Sequence, residues 1–264
     1  MEHQQNSFFL SAFKPAENLT LAERAERILS QQRFIADELQ RWTWFLTDKT
    51  EIDIRDDACY DLIYKQAKKG MNAKMVKITR YQPGDIPDTQ STCLFFITKK
   101  FYPEPFSVSH RLGYYGNYDK NESIGVKHFA NAEHLNNQGT ITGLFEAIES
   151  KYKPRELYVT TEEYFHNHSK TPNDTPRTGW ITYLDNSIKL PKSKPDFCKV
   201  IQRPLGTIFQ TTEGLFDDGN PKHIDNALRL EQWFVVNNVN TQSSPAKLDL
   251  RGILSKYLPG LNIL

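Results

Sequence analysis

The sequence predicts an α+β protein, with one mostly antiparallel sheet flanked by helices and opened by a long N-terminal helix. Three observations carry that expectation. A capped run of helical spacing starts at Thr20. Segments rich in β-branched and aromatic residues then come in adjacent pairs, without the regular strand-helix alternation of βαβ units. Hydrophobic residues make up 38% of the 264, enough apolar surface for a substantial core.

The helix start is read from Thr20-Leu21-Ala22-Glu23, a capping box in which the Thr hydroxyl and the Glu carboxylate satisfy orphan N–H groups. From there Leu21, Ala25, Ile28, Gln32, Ile35, Leu39, Trp42 and Leu46 alternate spacings of four and three, an apolar seam broken only by Gln32. Ala22, Leu29 and Ala36 widen it to the stripe of a helix packed on a core, so the spacing predicts a helix over 20–46. A second helix is expected from Asp56 or Asp57 to Lys69. It would bury Cys59, Leu62, Ile63 and Ala67, with Gly70 as its left-handed stop. Two helices in succession would then open the fold.

The period changes next. Lys74–Tyr81 and Thr92–Phe101 read as neighbouring strands around the turn residues 82–88. Cys93 to Ile97 is apolar on both alternating faces, which predicts a central strand. The aromatic stretch 113–121 (GYYGNYDKN) reads as a surface loop. Helical spacing returns at Ile141, Leu144, Phe145, Ile148 and Tyr152, stopped by Pro154, and a short strand follows over Leu157–Thr160. The segment His166–Arg177 is the most loop-like of the chain and a candidate joint, although a single domain over 1–264 is expected. Strands are expected at Gly179–Leu184 and Leu205–Thr211. Asn220-Pro221 supplies an N-cap and a first-turn proline for a helix running to Asn238, with Asp217 and Asp218 at its positive end. Beyond Asn240 the chain is polar through Pro245, then apolar.

Composition narrows the function. Lys plus Arg (33) balances Asp plus Glu (32), so no global field advertises nucleic acid or an anionic membrane as partner. The longest apolar run, Cys93–Ile97, is far short of the roughly 20 residues of a membrane helix. The N-terminus lacks the charged flank and apolar core of a signal peptide, which predicts a cytoplasmic protein. Cys59, Cys93 and Cys198 form no CxxC pair and read as reduced thiols. Neither GxxxxGK[ST], GxGxxG nor GxSxG occurs, so the expectation is a protein without cofactor or catalysis.

Four local features have both a functional and an ordinary structural reading. His166-Asn167-His168, following Glu162 and Glu163, is the best metal candidate and the basis of an alternative reading, a metal-dependent hydrolase. An HxH in a Pro/Asn/Ser loop is, however, ordinarily solvated. Lys65, Lys68 and Lys69 suit a helix C-terminus without any phosphate partner. Asp48, Glu51, Asp53, Asp56 and Asp57 partly serve as helix caps, yet together they could face a basic partner. His223, three residues past an N-cap, has no acidic orienter nearby in sequence and reads as a packing residue.

Several phrases occur together in the C-terminal half: Lys153 to Thr160 (KPRELYVT), Gly179 to Leu184 (GWITYL), Leu190-Pro191, Gly206 to Thr212 (GTIFQTT), Phe216-Asp217, Asn220-Pro221-Lys222-His223, and Ala227. In this order they resemble the immunity protein 52 family, as does the Ala- and Arg-rich helix starting at Thr20. The resemblance spans 17–240, leaves 71–138 unmatched and makes 241–264 an extension. It implies an antidote of a bacterial polymorphic or type VI secretion toxin, typically a nuclease of restriction-endonuclease-like fold. It brings no catalytic residues. The matching Gly179, Trp180, Tyr183, Asn220, Pro221 and His223 look structural. On that reading the acidic residues 48–57 and the aromatic Tyr114, Tyr115 and Tyr118 are the candidate toxin interface.

Overall fold

Alternation that the opening residues only hint at becomes the spine of the protein. In a computed structural model the described residues are 8–17, 19–46, 50–73, 92–97, 106–112, 121–128, 138–172 and 174–241. Strand β1 (Phe8–Pro15) buries Phe8, Leu10 and Ala12 on one face and leaves Phe9, Ser11 and Phe13 half-buried on the other. It sits inside a ten-stranded sheet with β2 (Thr43–Leu46), β3 (Glu51–Asp53), β4 (Thr92–Ile97), β5 (Phe106–Leu112), β6 (Asn121–His128), β7 (Glu156–Thr161), β8 (Ile181–Asp185), β9 (Lys199–Arg203) and β10 (Gly206–Gln210). The order is β3-β2-β4-β5-β6-β1-β7-β8-β10-β9, and every pairing is antiparallel. With the helices below, this is the α+β class expected.

Helices α1 (Leu21–Leu39), α2 (Cys59–Ala73) and α3 (Gln138–Tyr152) bury their apolar stripes on one face of the sheet. Ile28 and Ile35 of α1, Ile63 of α2 and Ile148 of α3 share a core there with Leu10, Val108, Ile124, Leu157 and Tyr183. Helix α4 (Pro221–Val236) packs Leu230 and Phe234 against Leu184 and Phe209. Register puts those two strand residues on the opposite face, since Leu157 pairs with Tyr183 while Glu156 pairs with Leu184. No helix among the described residues is long and apolar enough to cross a membrane.

The caps form as expected. Thr20 Oγ1 accepts from the Glu23 N–H at 3.3 Å, while the Glu23 carboxylate accepts from the Thr20 N–H at 2.7 Å. Asn220 Oδ1 accepts from the Lys222 N–H at 3.0 Å ahead of the proline that starts α4. Strands 92–97, 156–161, 181–185 and 206–210 and helices α3 and α4 fall where the spacing puts them, and β4 is interior, between β2 and β5.

Other expectations are corrected. The first helix stops at Leu39, where Gln40 turns left-handed (φ 52) and donates back to Ala36 and Asp37. Trp42 to Leu46 continued the seam by coincidence, because a spacing of four is one helical turn and also two strand repeats. Trp44 and Leu46 are buried as alternate residues of β2. The fold therefore opens strand, helix, hairpin, helix. Helix α2 runs through Gly70 to Ala73, and its buried face is Cys59, Ile63 and Ala67, with Leu62 exposed on its flank. The loop-like 166–177 begins inside a π-helical turn, Tyr164–His168, and β7 pairs directly with β8 across it. Strands β1, β2, β3, β5, β6 and β9 come in addition to those the spacing predicts. The expected strand 74–81, the turn 82–88, the chain end after 241, Asp48, Tyr114, Tyr115 and Tyr118 lie outside the described residues.

Candidate functional site

The acidic residues of the β3 edge and its turn into α2 come together, but in altered form. Asp53 is clasped by Arg55, whose Nε and Nη2 donate to its two oxygens at 2.9 and 2.5 Å, and this pairing holds its carboxyl down to about 2. The same guanidinium lies 5.0 Å over the Trp42 ring. Asp57, with its side chain 96% exposed, takes Arg33 Nη2 at 2.8 Å. Asp56 caps the Ala58 N–H at 2.9 Å, and Glu51 is exposed on the edge strand. Among the described residues of this segment, the four carboxylates Glu51, Asp53, Asp56 and Asp57 stand against the two guanidiniums of Arg33 and Arg55.

The residues that carry the resemblance are fasteners. A Cβ on Gly179 would lie 2.4 Å from Thr160 Oγ1 and 2.8 Å from the Val159 carbonyl, a backbone approach that only glycine permits. Trp180 is fully buried, packs 6.0 Å from Phe8, and donates from Nε1 to the Thr212 carbonyl at 3.4 Å. Tyr183 donates to the Leu205 carbonyl at 3.1 Å, and burial pushes its phenol up to about 12. Asn220 and Pro221 start α4. His223 Nδ1 accepts from the Asp217 N–H at 3.0 Å, so the orienter that its local sequence lacks is a backbone donor.

The histidines at 166 and 168 do not converge. His166 Nε2 lies 4.0 Å from Glu162, which itself holds Lys127 at 2.6 Å. Glu163 accepts from Asn167 at 2.7 Å, and the His168 ring stacks on Tyr164 at 6.2 Å. Among the described residues no three His, Cys, Asp or Glu side chains are grouped to hold a metal.

Two buried carboxylates tie down the loop that follows, and neither was singled out from sequence. Glu231 of α4 accepts from the Lys170 N–H at 2.7 Å, from Ser169 Oγ at 3.1 Å and from the Tyr164 hydroxyl at 3.3 Å. Its position in the buried stripe Ala227, Leu230, Glu231, Phe234 was the available signal. Glu156, buried at the start of β7, accepts from the Arg177 N–H at 2.6 Å, and loss of hydration raises its carboxyl to about 7.

A polar cluster closes one end of the main core. Lys14 and Glu122 face each other across β1 and β6, and Glu122 is wholly buried. Arg27 Nη1 donates to both Glu122 oxygens at 3.2 Å, and the Glu17 N–H donates to Oε1 at 3.1 Å. Glu17 bridges Arg27 at 2.8 Å and Lys14 at 3.1 Å, which together hold its carboxyl down to about 2. Deeper along α1, His110 is fully buried between Gln31 Oε1 (3.0 Å from Nδ1) and Gln32 Oε1 (2.8 Å from Nε2), and loss of hydration lowers its pKa to about 3. A neutral imidazole donates from one nitrogen and accepts at the other. Turning the Gln32 amide lets its otherwise unpartnered Nε2 donate to His110 Nε2. The cluster opens into a groove of about 620 Å³ between α1 and α3, lined by Glu26, Arg27, Ser30, Phe34, Lys151 and Tyr152.

No protein-family model and no curated protein matches the chain. Among solved structures, the chain is similar to the Pseudomonas aeruginosa T6SS protein PA0821, with 9% identity, a TM-score of 0.49, and coverage of 88% of this chain and 77% of that one.

Proposed function

We propose that this chain is an immunity protein that binds and neutralises a cognate toxin in the cytoplasm, a nuclease delivered by type VI secretion, by covering its substrate groove. One observation carries the reading. The residues by which the sequence resembles an immunity family, Gly179, Trp180, Tyr183, Asn220, Pro221 and His223, each serve as a close approach, a buried anchor or a cap. Residues that hold a shape are what a protein needs when its surface is the working part, with neither catalysis nor cofactor. A nuclease must hold phosphates with basic groups, so the acidic β3 edge is the surface matched to it in charge. Stable occlusion calls for an interface of about 1,600 Å² with aromatic anchors at its centre.

The test is co-expression with the toxin encoded beside this gene, scored by growth rescue and co-purification. Rescue and a stable complex are expected, and failure to rescue from any neighbouring toxin overturns the proposal. Within such a complex, the double variant Glu51→Lys/Asp56→Lys is expected to slow association about tenfold at low salt and flatten its salt dependence. An unchanged association rate removes this edge from the interface.

A further inference from the structure

We infer that the outer side of β9 is a docking site for an extended acidic segment of a partner protein, which joins the sheet there as a further strand. It lies at the opposite end of the sheet from the acidic β3 edge and does not depend on the toxin reading. Among the described strands β9 pairs with β10 alone. In an antiparallel pair every second residue turns its N–H and C=O away from the neighbouring strand, so an end strand keeps a row of open donors and acceptors. Among the described residues, no backbone group outside the β9–β10 pairing hydrogen-bonds to the backbone of 199–203. The turn that closes this hairpin leaves Leu205 54% exposed, and Val200 and Ile201 are half-buried on the two faces of the strand. An added strand therefore finds both hydrogen-bonding groups and apolar flanks.

Charge decides which strand fits. Lys189, Lys192 and Lys194 of the loop 186–198 and Lys199 of β9 are all exposed, and among the described residues none of these ammonium groups has an ion pair or a hydrogen bond. Asp196 is the one carboxylate within 186–199. Arg203, further along β9, is already taken by Glu146 at 3.5 Å, with Glu149 close enough to feel its charge. Lys199 shares its face of β9 with Ile201, which packs on the core beneath α1–α3, whereas the loop packs Ile188, Leu190 and Phe197 on the core beneath α4. Cations thus flank the edge from both faces. Lysines so placed repel the same edge of a second copy, the ordinary guard against aggregation, and the same charge admits a strand of opposite sign. A nucleic-acid strand would match the charge but finds no stacking platform, because Phe197, the one aromatic residue of 186–205, lies under the Arg229 guanidinium at 4.3 Å.

The experiment titrates the full-length protein against a short fluorescent peptide of alternating Glu and Val, following anisotropy and amide exchange across β9. The controls are the Lys-Val peptide, the Glu-Val peptide with its backbone nitrogens methylated, and oligothymidylate of equal charge. Saturable binding of the Glu-Val peptide with slowed exchange at 199–203 is expected, with none for Lys-Val and binding about tenfold weaker once methylation removes the backbone donors. Lys194→Glu/Lys199→Glu changes two exposed side chains, so it should keep the wild-type melting temperature and weaken the Glu-Val peptide about tenfold. Absence of saturable Glu-Val binding to the wild-type protein overturns the site, with no variant needed. Binding that methylation leaves undiminished, or that leaves exchange at 199–203 unchanged, overturns strand addition, and tighter binding of oligothymidylate than of the peptide overturns the partner class.

Discussion

Replacing Glu156 by Gln should change how stability depends on pH more than it changes stability itself. The carboxyl is buried against the Arg177 N–H, 2.6 Å away, and its folded-state pKa stands at about 7 against an ordinary 4.5. The difference between 4.5 and about 7 corresponds to about 3 kcal/mol between the two protonation states. The folded chain holds this proton more tightly than the unfolded chain. The contribution is therefore fully present below about pH 4.5, declines across the interval up to about 7, and is lost above it. Gln keeps the acceptor for Arg177 and cannot ionise. Urea unfolding of both proteins at half-unit steps from pH 4.5 to 8 should show Glu156→Gln gaining about 3 kcal/mol on the wild type by pH 7.5, then running parallel to it. Carboxylates with lowered pKa, such as Glu17, tilt both curves alike and cancel in the difference. Two curves that stay parallel throughout, within about 0.5 kcal/mol, would refute the argument that burial governs this group.

Gly179→Ala sets a Cβ against Thr160 Oγ1 and the Val159 carbonyl, and is expected to lower stability by about 2 kcal/mol or more, only partly recovered by adding Thr160→Ala, because the carbonyl contact remains. Thermal unfolding of the single and double variants checks this. Glu231→Ala removes the carboxylate that accepts from the Lys170 N–H, Ser169 Oγ and the Tyr164 hydroxyl, a loss of about 3 kcal/mol, and should raise amide exchange at 169–172 before it does so in β7. Asn220→Ala removes the α4 cap at a cost of about 1 kcal/mol by denaturant midpoint, with the unfolding slope unchanged.

Much of the candidate surface was legible in the sequence because it is contiguous. The acidic residues 51–57 lie within one short segment, and any local fold brings them near one another. What could not be read is how the cations answer them. Arg33 reaches Asp57 from α1, 24 residues earlier, and the clasp of Asp53 by Arg55 depends on the shape of the turn. The groove cluster was illegible for a stronger reason. Lys14, Arg27, Glu122 and Tyr152 are scattered over nearly 140 residues, and each alone reads as an ordinary charged or helical position. The first strand was passed over because Phe8 to Pro15 holds one clean alternation in a polar neighbourhood, and only pairing on both sides with β6 and β7 makes it central.

Local chemistry in the chain determined the caps at Thr20 and Asn220, the stripes of α3 and α4, the β-rich segments around 92–97 and 181–210, and so the α+β class, because these depend on neighbours a few residues apart. Tertiary structure alone decided where α1 ends, which strands adjoin, and which of Glu122, Glu156, Glu231 and His110 become buried, because desolvation and long-range pairing are properties of surfaces brought together. A spacing of four fits helix and strand equally, and only the sheet waiting to receive Trp44 and Leu46 chooses between them.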